Sequence, residues 1–368
     1  MTGNLKKYLI GIIAIVALMI AIPAIATAAD PPGTITPVAG TTYSGYYDGN
    51  TSRYFKVVFK TSGKLVLNAR ASGNNPLYLH LNVLDSNSNV INNFDGSQEF
   101  NDYVIKDGTT YLNKGTYYVE LNDDGYWGYY DYNYTIKFGW QSVKESFPEP
   151  FGGSNNSFAT ANTIAVNKAY RGMVPTNGEN NDQYDVYKFT IPSPGSRVVI
   201  KTSSNTFTDL YLTLYDSKGY KIDSNHLYFD SRSYKATSYA YYLAPGTYYV
   251  SYDISSYPYY YGPYDFMIVA PPRSAPTNVK ASPISVARGG SSTVSWTKVA
   301  GAGKYRVRLY RKTSWGTWGE VYSGDYGDVS SVTLRNLNYR GWYKVFVYAG
   351  NSAGWHSPGK WSNSFKVQ

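Results

Sequence analysis

The sequence predicts an all-β protein with three β-sandwich domains in tandem, preceded by the helix of an N-terminal signal peptide. Its 368 residues suffice for two to four domains, because an ordinary domain takes about 100–200 residues. Tyrosine, which favours strands, contributes 41 residues. Short alternating apolar runs are separated by Gly, Asn, Asp and Pro, without a convincing helical pattern. Evenly spaced short strands of this kind are typical of sandwiches.

The first 29 residues have the pattern of a secretory signal peptide. Lys6 and Lys7 precede an apolar run at 9–22, and small residues follow at 26–29. This is the order of the charged region, the hydrophobic region and the cleavage site. An uncleaved signal anchor is the alternative, since residues 9–26 are nearly long enough to span a bilayer. We expect a protein that is secreted or held at the cell surface and meets a membrane only through this segment.

Four sequence signals recur in the same order and indicate a duplicated domain. The segment GTYYV at 115–119 returns at 246–250, 131 residues later. The other pairs are Leu77-Tyr78-Leu79 with Leu210-Tyr211-Leu212, Asp85-Ser86 with Asp216-Ser217, and YFKV at 54–57 with VYKF at 186–189. This period is too long for a solenoid unit. It predicts two copies, at residues 33–140 and 150–270, joined by a linker at 141–157, and then a third domain at 273–368.

The second copy resembles a known family through four segments in that family's order: NNSFATANTI at 155–164, DQYDVYKF at 182–189, LTLYD at 212–216 and LAPGTYYV at 243–250. The family is the bacterial pre-peptidase C-terminal domain, a group that includes the collagen-binding domains of clostridial collagenases. The first copy keeps the strands but lacks the Asn-Asn-Ser opening, so it resembles a diverged member. The resemblance implies a jelly-roll-like sandwich for each copy.

Residues 273–368 resemble a fibronectin type III domain. The segment APTNV at 275–279 matches the first strand, and Trp296 in VSW matches the core tryptophan of the family. Tyr343 follows Leu337 by six residues, the spacing of a tyrosine corner. By resemblance, both domain types usually accompany secreted hydrolases as accessory modules.

The composition and motifs argue against catalysis. The chain has no cysteine and three histidines, which lie more than 70 residues apart, so thiolate nucleophiles and local metal clusters of these residues are excluded. Gly350-Asn351-Ser352-Ala353-Gly354 fits the serine-hydrolase elbow, with His356 nearby. That elbow needs a strand, a strained turn and a helix, whereas the residues after Gly354 cannot start a helix. We expect no catalytic residues.

Calcium is implied by the resemblance, in the second domain only. In the related collagen-binding domains, acidic and amide oxygens of the N-terminal linker and of an Asp-x-x-Asp turn coordinate the ion. The matching residues are Glu149 and Asn155 in the linker and Asp182 and Asp185 in the turn. Four residues inserted at 151–154 depart from the family, and turn capping by the two aspartates is the alternative. Arg53 takes the place of Asp185 in the first copy, so no calcium is expected there.

Two tyrosine-rich loops follow the repeated GTYYV strand. Successive strand residues point to opposite faces, so consecutive rings cannot all be buried, and exposed aromatic clusters mark contact surfaces. Folding over a sheet edge to protect it is the alternative. The predicted contact residues are Tyr126, Trp127, Tyr129 and Tyr130 in the first loop and Tyr257, Tyr259, Tyr260 and Tyr261 in the second.

The charge is concentrated in the third domain. From residue 273 onward, 14 Lys and Arg face 3 Asp and Glu, a net charge of +11, whereas the two repeats together carry −4. Alternation places Lys304, Arg306 and Arg308 on one face of a strand. If Tyr343 and Val345 face the core, Lys344, Phe346 and Tyr348 join them on the outside. This patch suits an anionic polymer, and a solvated face that aids solubility is the alternative.

These features predict an exported, non-catalytic adhesive or substrate-binding protein. Its partner would be an extracellular polymer, either a fibrous protein or a polysaccharide such as cell-wall material, with no specific nucleic acid. A self-associating subunit of a surface layer or filament is the first alternative. An accessory component of a secreted hydrolase system is the second.

Overall fold

The computed structural model describes residues 30–73, 79–99, 102–122, 131–149, 153–175, 184–206, 208–229, 236–254, 262–355 and 359–368. These residues form strands and turns but no helix, which confirms the predicted all-β class. Accordingly, none of the residues described belongs to a helix long and apolar enough to cross a membrane. The predicted signal peptide, at 1–29, lies outside the described residues.

The first sandwich combines a five-stranded and a four-stranded sheet. Its strands are β1 Thr42–Tyr47, β2 Arg53–Phe59, β3 Gly63–Ser72, β4 His80–Leu84, β5 Val90–Asp95, β6 Ser97–Glu99, β7 Asp102–Leu112, β8 Gly115–Asn122 and β9 Tyr132–Ser142. The strand orders are β1-β9-β3-β7-β6 and β2-β8-β4-β5. In β3, the alternation of residues buries Leu65, Leu67 and Ala69 against the facing sheet.

The second sandwich repeats the order of eight of these strands. Its strands are β10 Asn162–Thr163, β11 Ala169–Val174, β12 Tyr184–Ile191, β13 Ser196–Ser203, β14 Thr208–Tyr215, β15 Lys221–Phe229, β16 Thr237–Leu243, β17 Gly246–Ile254 and β18 Gly262–Val269. The order β2-β8-β4-β5 recurs as β12-β17-β14-β15, and β1-β9-β3-β7 recurs as β11-β18-β13-β16. The duplication inferred from four short segments is therefore visible in the connectivity of both sheets.

The strand register corrects one of the sequence matches. Leu84 pairs with Tyr118 as Tyr215 pairs with Tyr249, an offset of 131 on both strands. The structural equivalent of Leu210-Tyr211-Leu212 is therefore Leu79-His80-Leu81, and not Leu77-Tyr78-Leu79. A shift of two residues keeps the same strand face towards the core, so the sequence pattern alone could not reveal it.

The third sandwich packs a three-stranded sheet on a seven-stranded one. Its strands are β19 Thr277–Ser282, β20 Ser285–Val286, β21 Ser292–Thr297, β22 Lys304–Lys312, β23 Trp318–Tyr326, β24 Ser331–Leu334, β25 Gly341–Asn351, β26 Gly354–Trp355, β27 Lys360–Trp361 and β28 Phe365–Val367. The sheets are β19-β21-β24 and β20-β28-β25-β22-β23, and β26 and β27 also pair with β25. Trp296 and Tyr305 pack together in the core, with ring centroids 5.1 Å apart.

A tyrosine hydroxyl ties down the loop before one strand in each sandwich. Tyr117, Tyr248 and Tyr343 each donate a hydrogen bond to the carbonyl oxygen four residues earlier, at 2.9, 3.0 and 2.7 Å. The tyrosine corner predicted at Tyr343 is confirmed, and the repeats carry an equivalent bond in their shared GTYYV segment. The tyrosine excess thus has a structural component in addition to any surface role.

The predicted linker between the first two sandwiches packs onto the second one. The Phe147 ring stacks on Tyr170, with centroids 5.6 Å apart and an interplanar angle of 11°. The backbone N–H of Ser146 donates to the carbonyl of Arg171 at 2.9 Å, and Val186 N–H donates to the carbonyl of Asn155 at 3.0 Å. These contacts bring Glu149 and Asn155 beside β12.

The second and third sandwiches are joined through Asn351. Its side-chain Nδ2 donates to the carbonyls of Ala270 and Gly301 at 2.7 and 2.9 Å. Its Oδ1 accepts from the N–H of Ala353 at 2.8 Å. Gly301 has φ +76°, and a Cβ there would lie 2.8 Å from the Asn167 side chain, so the approach of the two domains requires glycine at this position.

Candidate functional site

Three of the four predicted calcium ligands come together at the edge of the second sandwich. Glu149, Asn155 and Asp185 are all buried, although they lie on separate segments of the chain. Ser154 N–H donates to Glu149 Oε2 at 3.1 Å. The Tyr264 hydroxyl donates to Asp185 Oδ2. Asp182, the fourth residue, lies outside the described residues.

The negative charge of this cluster contributes to raised pKa values of the buried tyrosines next to it. The pKa of Tyr187 is raised well above its usual value, first by burial and then by the nearby carboxylates of Asp185, Glu149 and Glu145. Burial, with Asp185 as the next cause, likewise raises the pKa of Tyr264. Glu145 is buried as well, and the sequence reasoning missed it. Its only signal was a position four residues before Glu149 in the linker.

The donor set at this edge fits a hard cation in part. The side-chain amide of Asn155 is buried and has no hydrogen-bond partner among the described residues, which leaves its oxygen open to a ligand. Carboxylate and amide oxygens are the donors that calcium prefers. Within the described part of the chain, however, no group of three or more His, Asp or Glu side chains is placed to hold a metal ion.

The first sandwich has a cation at the equivalent position. Arg53 pairs with Leu121 on β8 as Asp185 pairs with Tyr252 on β17. Since both strand pairs end at the same register, with Phe59 opposite Gly115 and Ile191 opposite Gly246, the sequence match of Arg53 to Asp185 holds in the fold.

A row of aromatic side chains crosses the outer face of the second sandwich. Cross-strand partners lie on one face, and the register runs from Tyr184 on β12 to Asp253, Tyr211 and His226. Tyr228 follows two residues after His226 on β15. The three tyrosines are 43, 38 and 51% exposed, in the order Tyr184, Tyr211 and Tyr228. We call Tyr184, Tyr211, His226 and Tyr228 the aromatic row.

Two carboxylates lie among these rings. Asp253 lies between Tyr184 and Tyr211 in the register of the sheet. Burial raises the pKa of its carboxyl group to about 6. Asp209 is buried and bonds Nε2 of His226 through Oδ1. The His226 and Tyr211 rings lie 4.9 Å apart. The row therefore offers flat apolar faces beside hydrogen-bonding groups, a combination that the sequence reasoning missed because it spans four strands.

The predicted tyrosine loops lie outside the described residues. Tyr126, Trp127, Tyr129 and Tyr130 belong to 123–130, and Tyr257, Tyr259, Tyr260 and Tyr261 belong to 255–261. The second loop follows Ile254, the residue after Asp253 at the end of β17.

The four predicted cations of the third domain lie on one outer face, as expected. Tyr343, Val345 and Val347 are buried, and β25 pairs with β22 so that Arg306 lies opposite Tyr348. Each cation, however, already lies on an aromatic ring. The distances to ring centroids are 4.4 Å for Lys304 and 4.7 Å for Arg306 over Trp355, 5.2 Å for Arg308 over Tyr348, and 4.4 and 3.7 Å for Lys344 over Trp318 and Trp361.

These residues form a cation–aromatic ladder, comprising Lys304, Arg306, Arg308 and Lys344 with Trp318, Tyr348, Trp355 and Trp361. Acidic side chains of β23 offset part of its charge. Arg306 makes two hydrogen bonds to Asp325, at 2.6 and 2.8 Å, which raise the pKa of the guanidinium. Arg308 lies 3.5 Å from Glu320. Burial lowers the pKa of the Lys344 ammonium.

The serine-elbow motif serves the joint between domains. Gly350-Asn351-Ser352-Ala353-Gly354 is the turn from β25 into β26, so the strand-turn-helix context of a hydrolase is absent from this segment. The backbone carbonyl of Ser352 accepts a hydrogen bond from Arg197 at 3.0 Å. His356 lies outside the described residues.

Comparison with known proteins identifies part of the second sandwich. Residues 183–251, which run from the start of β12 through most of β17, match the family profile of the bacterial pre-peptidase C-terminal domain. A search among curated proteins finds no significant match. The pre-peptidase C-terminal domain of collagenase from Bacillus anthracis is a similar solved structure: 17% identity over 33% of this chain and 98% of that chain, with a TM-score of 0.24.

Fibronectin domains are also among the similar solved structures. The FN5 domain of Drosophila Lar is 24% identical over 26% of this chain and 96% of its own, with a TM-score of 0.21. An FN3 domain of human collagen XX is 28% identical over 25% of this chain and 90% of its own, with a TM-score of 0.20. Within this all-β chain, residues 183–251 are therefore the segment that is similar to a bacterial pre-peptidase C-terminal domain, on the family profile alone.

Proposed function

We propose that this protein is an exported, non-catalytic adhesive protein that binds an extracellular fibrous protein or polysaccharide. In this proposal, the protein consists of two pre-peptidase C-terminal-type sandwiches, of which the first is diverged, followed by a fibronectin type III sandwich. The aromatic row of the second sandwich is the observation that carries this proposal. The family match supports an extracellular binding module, and the pattern at 1–29 supports export.

The aromatic row has the properties of a contact surface for an extended polymer. Its rings stand on a sheet, so their spacing is set by strands and not by mobile side chains. Tyrosine buries a large area on contact and loses little conformational entropy, and its hydroxyl bonds to polar ligand groups. Asp253 and Asp209 add acceptors between and beside the rings. The four contact tyrosines predicted at 255–261 follow β17 in the sequence and are expected to bind the same polymer.

A retention assay with a matched control tests the aromatic row. Replacing Tyr184, Tyr211 and Tyr228 with Ser should weaken retention on the bound polymer at least about 100-fold, since truncating an aromatic anchor costs roughly 1–2 kcal/mol. Collagen, chitin, cellulose and purified cell wall are the matrices for the pull-down. The control replaces Tyr46, Tyr220 and Tyr242, which are exposed elsewhere.

Equal retention of both variants would refute a role for the row in binding. Ordered assemblies of the unchanged protein without any matrix, lost in the row variant, would instead favour the subunit of a surface layer or filament. Retention that appears only together with a secreted hydrolase would favour the accessory role.

Calcium binding in the second sandwich is a second proposal, which rests on the buried amide of Asn155. Asp185, Glu149 and Asn155 would hold the ion, with Asp182 from the adjoining segment. A bound cation would offset the charge of the buried carboxylates and fasten the linker to β12.

Calcium should therefore raise the melting temperature of the second sandwich. A ligand that binds only the folded state at about 100 times its Kd stabilises by roughly 2.7 kcal/mol. Calorimetry of the whole protein in millimolar calcium and in chelator measures the shift, and Asn155→Ala should reduce it. The first sandwich, with Arg53, provides an internal control. Identical melting profiles in calcium and chelator would eliminate the site.

A further inference from the structure

A cleft opens between the two sheets of the third sandwich, on the side away from its chain termini. It is bounded by β23, the last strand of the larger sheet, and β24, the last strand of the smaller one. Its volume is about 720 Å³, inside the usual range of ligand sites, about 300–1,000 Å³. Neither the repeats nor the cation–aromatic ladder contributes a residue to its lining.

Tyrosines form the walls of this cleft. Tyr322 and Tyr326 stand on the core-facing side of β23, and their hydroxyls meet at 2.8 Å across Gly324. Burial, with the Tyr322 hydroxyl as the next cause, raises the pKa of Tyr326 to about 12, so the Tyr326 hydroxyl stays protonated at neutral pH. Tyr339 stands at the rim and is 70% exposed.

The cleft also carries positive charge and no acidic side chain. Arg311 and Arg335 line it, and none of its lining residues is Asp or Glu. Arg311 lies over the ring of Tyr339 at 5.1 Å, which holds the guanidinium at the cleft and leaves its N–H edge available. In the cation–aromatic ladder, by contrast, acidic side chains offset part of the positive charge, because Arg306 faces Asp325 and Arg308 faces Glu320.

We propose that this cleft binds a uronic-acid unit of an acidic polysaccharide. A pyranose ring presents an apolar face, which suits tyrosine walls, and hydroxyls, which suit the phenolic groups of Tyr322 and Tyr326. Its carboxylate matches the planar donor set of an arginine, which bonds carboxylates in bidentate fashion. This inference deepens the proposed adhesive function but uses a different domain, so the aromatic row and the cleft can fail independently.

Binding of polygalacturonate to the whole protein tests the cleft. By calorimetry at physiological salt, the double change Arg311→Gln and Arg335→Gln should weaken affinity at least about tenfold, the usual loss when charge-assisted hydrogen bonds are removed. Lys280→Gln with Lys360→Gln is the matched control, since both lysines are exposed, lie outside the cleft and carry the same charge. Fully methyl-esterified polygalacturonate, which lacks the carboxylate charge, should not bind.

The outcomes separate the alternatives. Equal losses in the two double variants would reduce the effect to net charge and overturn the cleft. Equal binding of the methyl ester would overturn the recognition of a carboxylate. Displacement by poly-glutamate as effective as displacement by oligogalacturonate would show a site for acidic peptides and not for sugars. The single variant Arg335→Gln should fold correctly, because Arg335 is exposed. Unchanged affinity in this variant would also contradict the proposal.

Discussion

Replacing Asn351 with Ala is expected to uncouple the third sandwich from the second and to lower its stability by about 3 kcal/mol. The change removes three hydrogen bonds of 2.7–2.9 Å and a longer one to Asn167, and it leaves the carbonyl of Ala270 and the N–H of Ala353 buried without a partner. Each such group costs roughly 1–3 kcal/mol. Urea unfolding followed by tryptophan fluorescence measures the loss, since six of the eight tryptophans lie after residue 273.

Asn363→Ala is the matched control for the joint. The Asn363 side chain makes the same kind of bonds, from Ala281 N–H at 2.8 Å and to the Ala281 carbonyl at 3.1 Å, but entirely within the third sandwich. It should lower stability without affecting the joint. Proteolysis at 271–276 should increase in the Asn351 variant only. Equal cleavage of the two variants would mean that Asn351 stabilises its own domain and nothing more.

The contact between the second and third sandwiches also explains why residues 350–354 fit the sequence pattern of a serine-hydrolase elbow. The glycines of G-x-S-x-G are required here by packing: a Cβ at Gly350 would lie 2.3 Å from the Trp355 ring, and one at Gly354 would lie 3.3 Å from Pro271. The residues between them provide the side chain of Asn351 and the carbonyls of Ser352 and Ala353, which accept from Arg197. Small residues in a tight turn satisfy the same pattern as a nucleophile elbow.

The sequence predicted the fold well because its signals are local. Alternation along each strand, the turn residues between strands and the repeated GTYYV segment are all read within a few residues. The tyrosine corner at Tyr343 is expected from the resemblance to a fibronectin type III domain, and the outward direction of Lys344 follows from strand alternation once Tyr343 faces the core. The topology of the second sandwich then follows from that of the first, because a duplicated domain keeps its strand order.

The sites were harder to predict because each combines distant segments. The ladder takes Trp318 from β23 and Trp355 and Trp361 from the chain end, and no local pattern connects them to Lys344. The aromatic row takes its four residues from three strands, β12, β14 and β15, so it depends on a register that the sequence leaves open by steps of two. Glu145 lies near enough to raise the pKa of Tyr187 only because the predicted linker packs on the second sandwich.

The ladder is expected to contribute mainly to the stability of the third sandwich. Changing Lys304, Arg306, Arg308 and Lys344 to Ser should destabilise this domain by about 4 kcal/mol, since each cation–π contact is worth roughly 0.5–2 kcal/mol. The aliphatic stems add to this, because they cover the rings of Trp355 and Trp361. The urea midpoint by tryptophan fluorescence measures the loss. Lys280, Lys312, Arg340 and Lys360, all exposed, form the control set with the same charge.

Retention on heparin distinguishes this structural role from a ligand surface. Attraction by net charge is screened beyond about 8–10 Å at physiological salt, so both quadruple variants should elute earlier than the unchanged protein and by similar amounts. Asp325 and Glu320 already face Arg306 and Arg308, which leaves the ladder little advantage over scattered lysines. A ladder variant that unfolds like the unchanged protein but elutes far earlier than the control would reverse this assignment. Its four cations would then form the anion-binding face. If the ladder variant is as stable as the unchanged protein and has lost the same charge as the control, only direct contact with heparin explains its earlier elution.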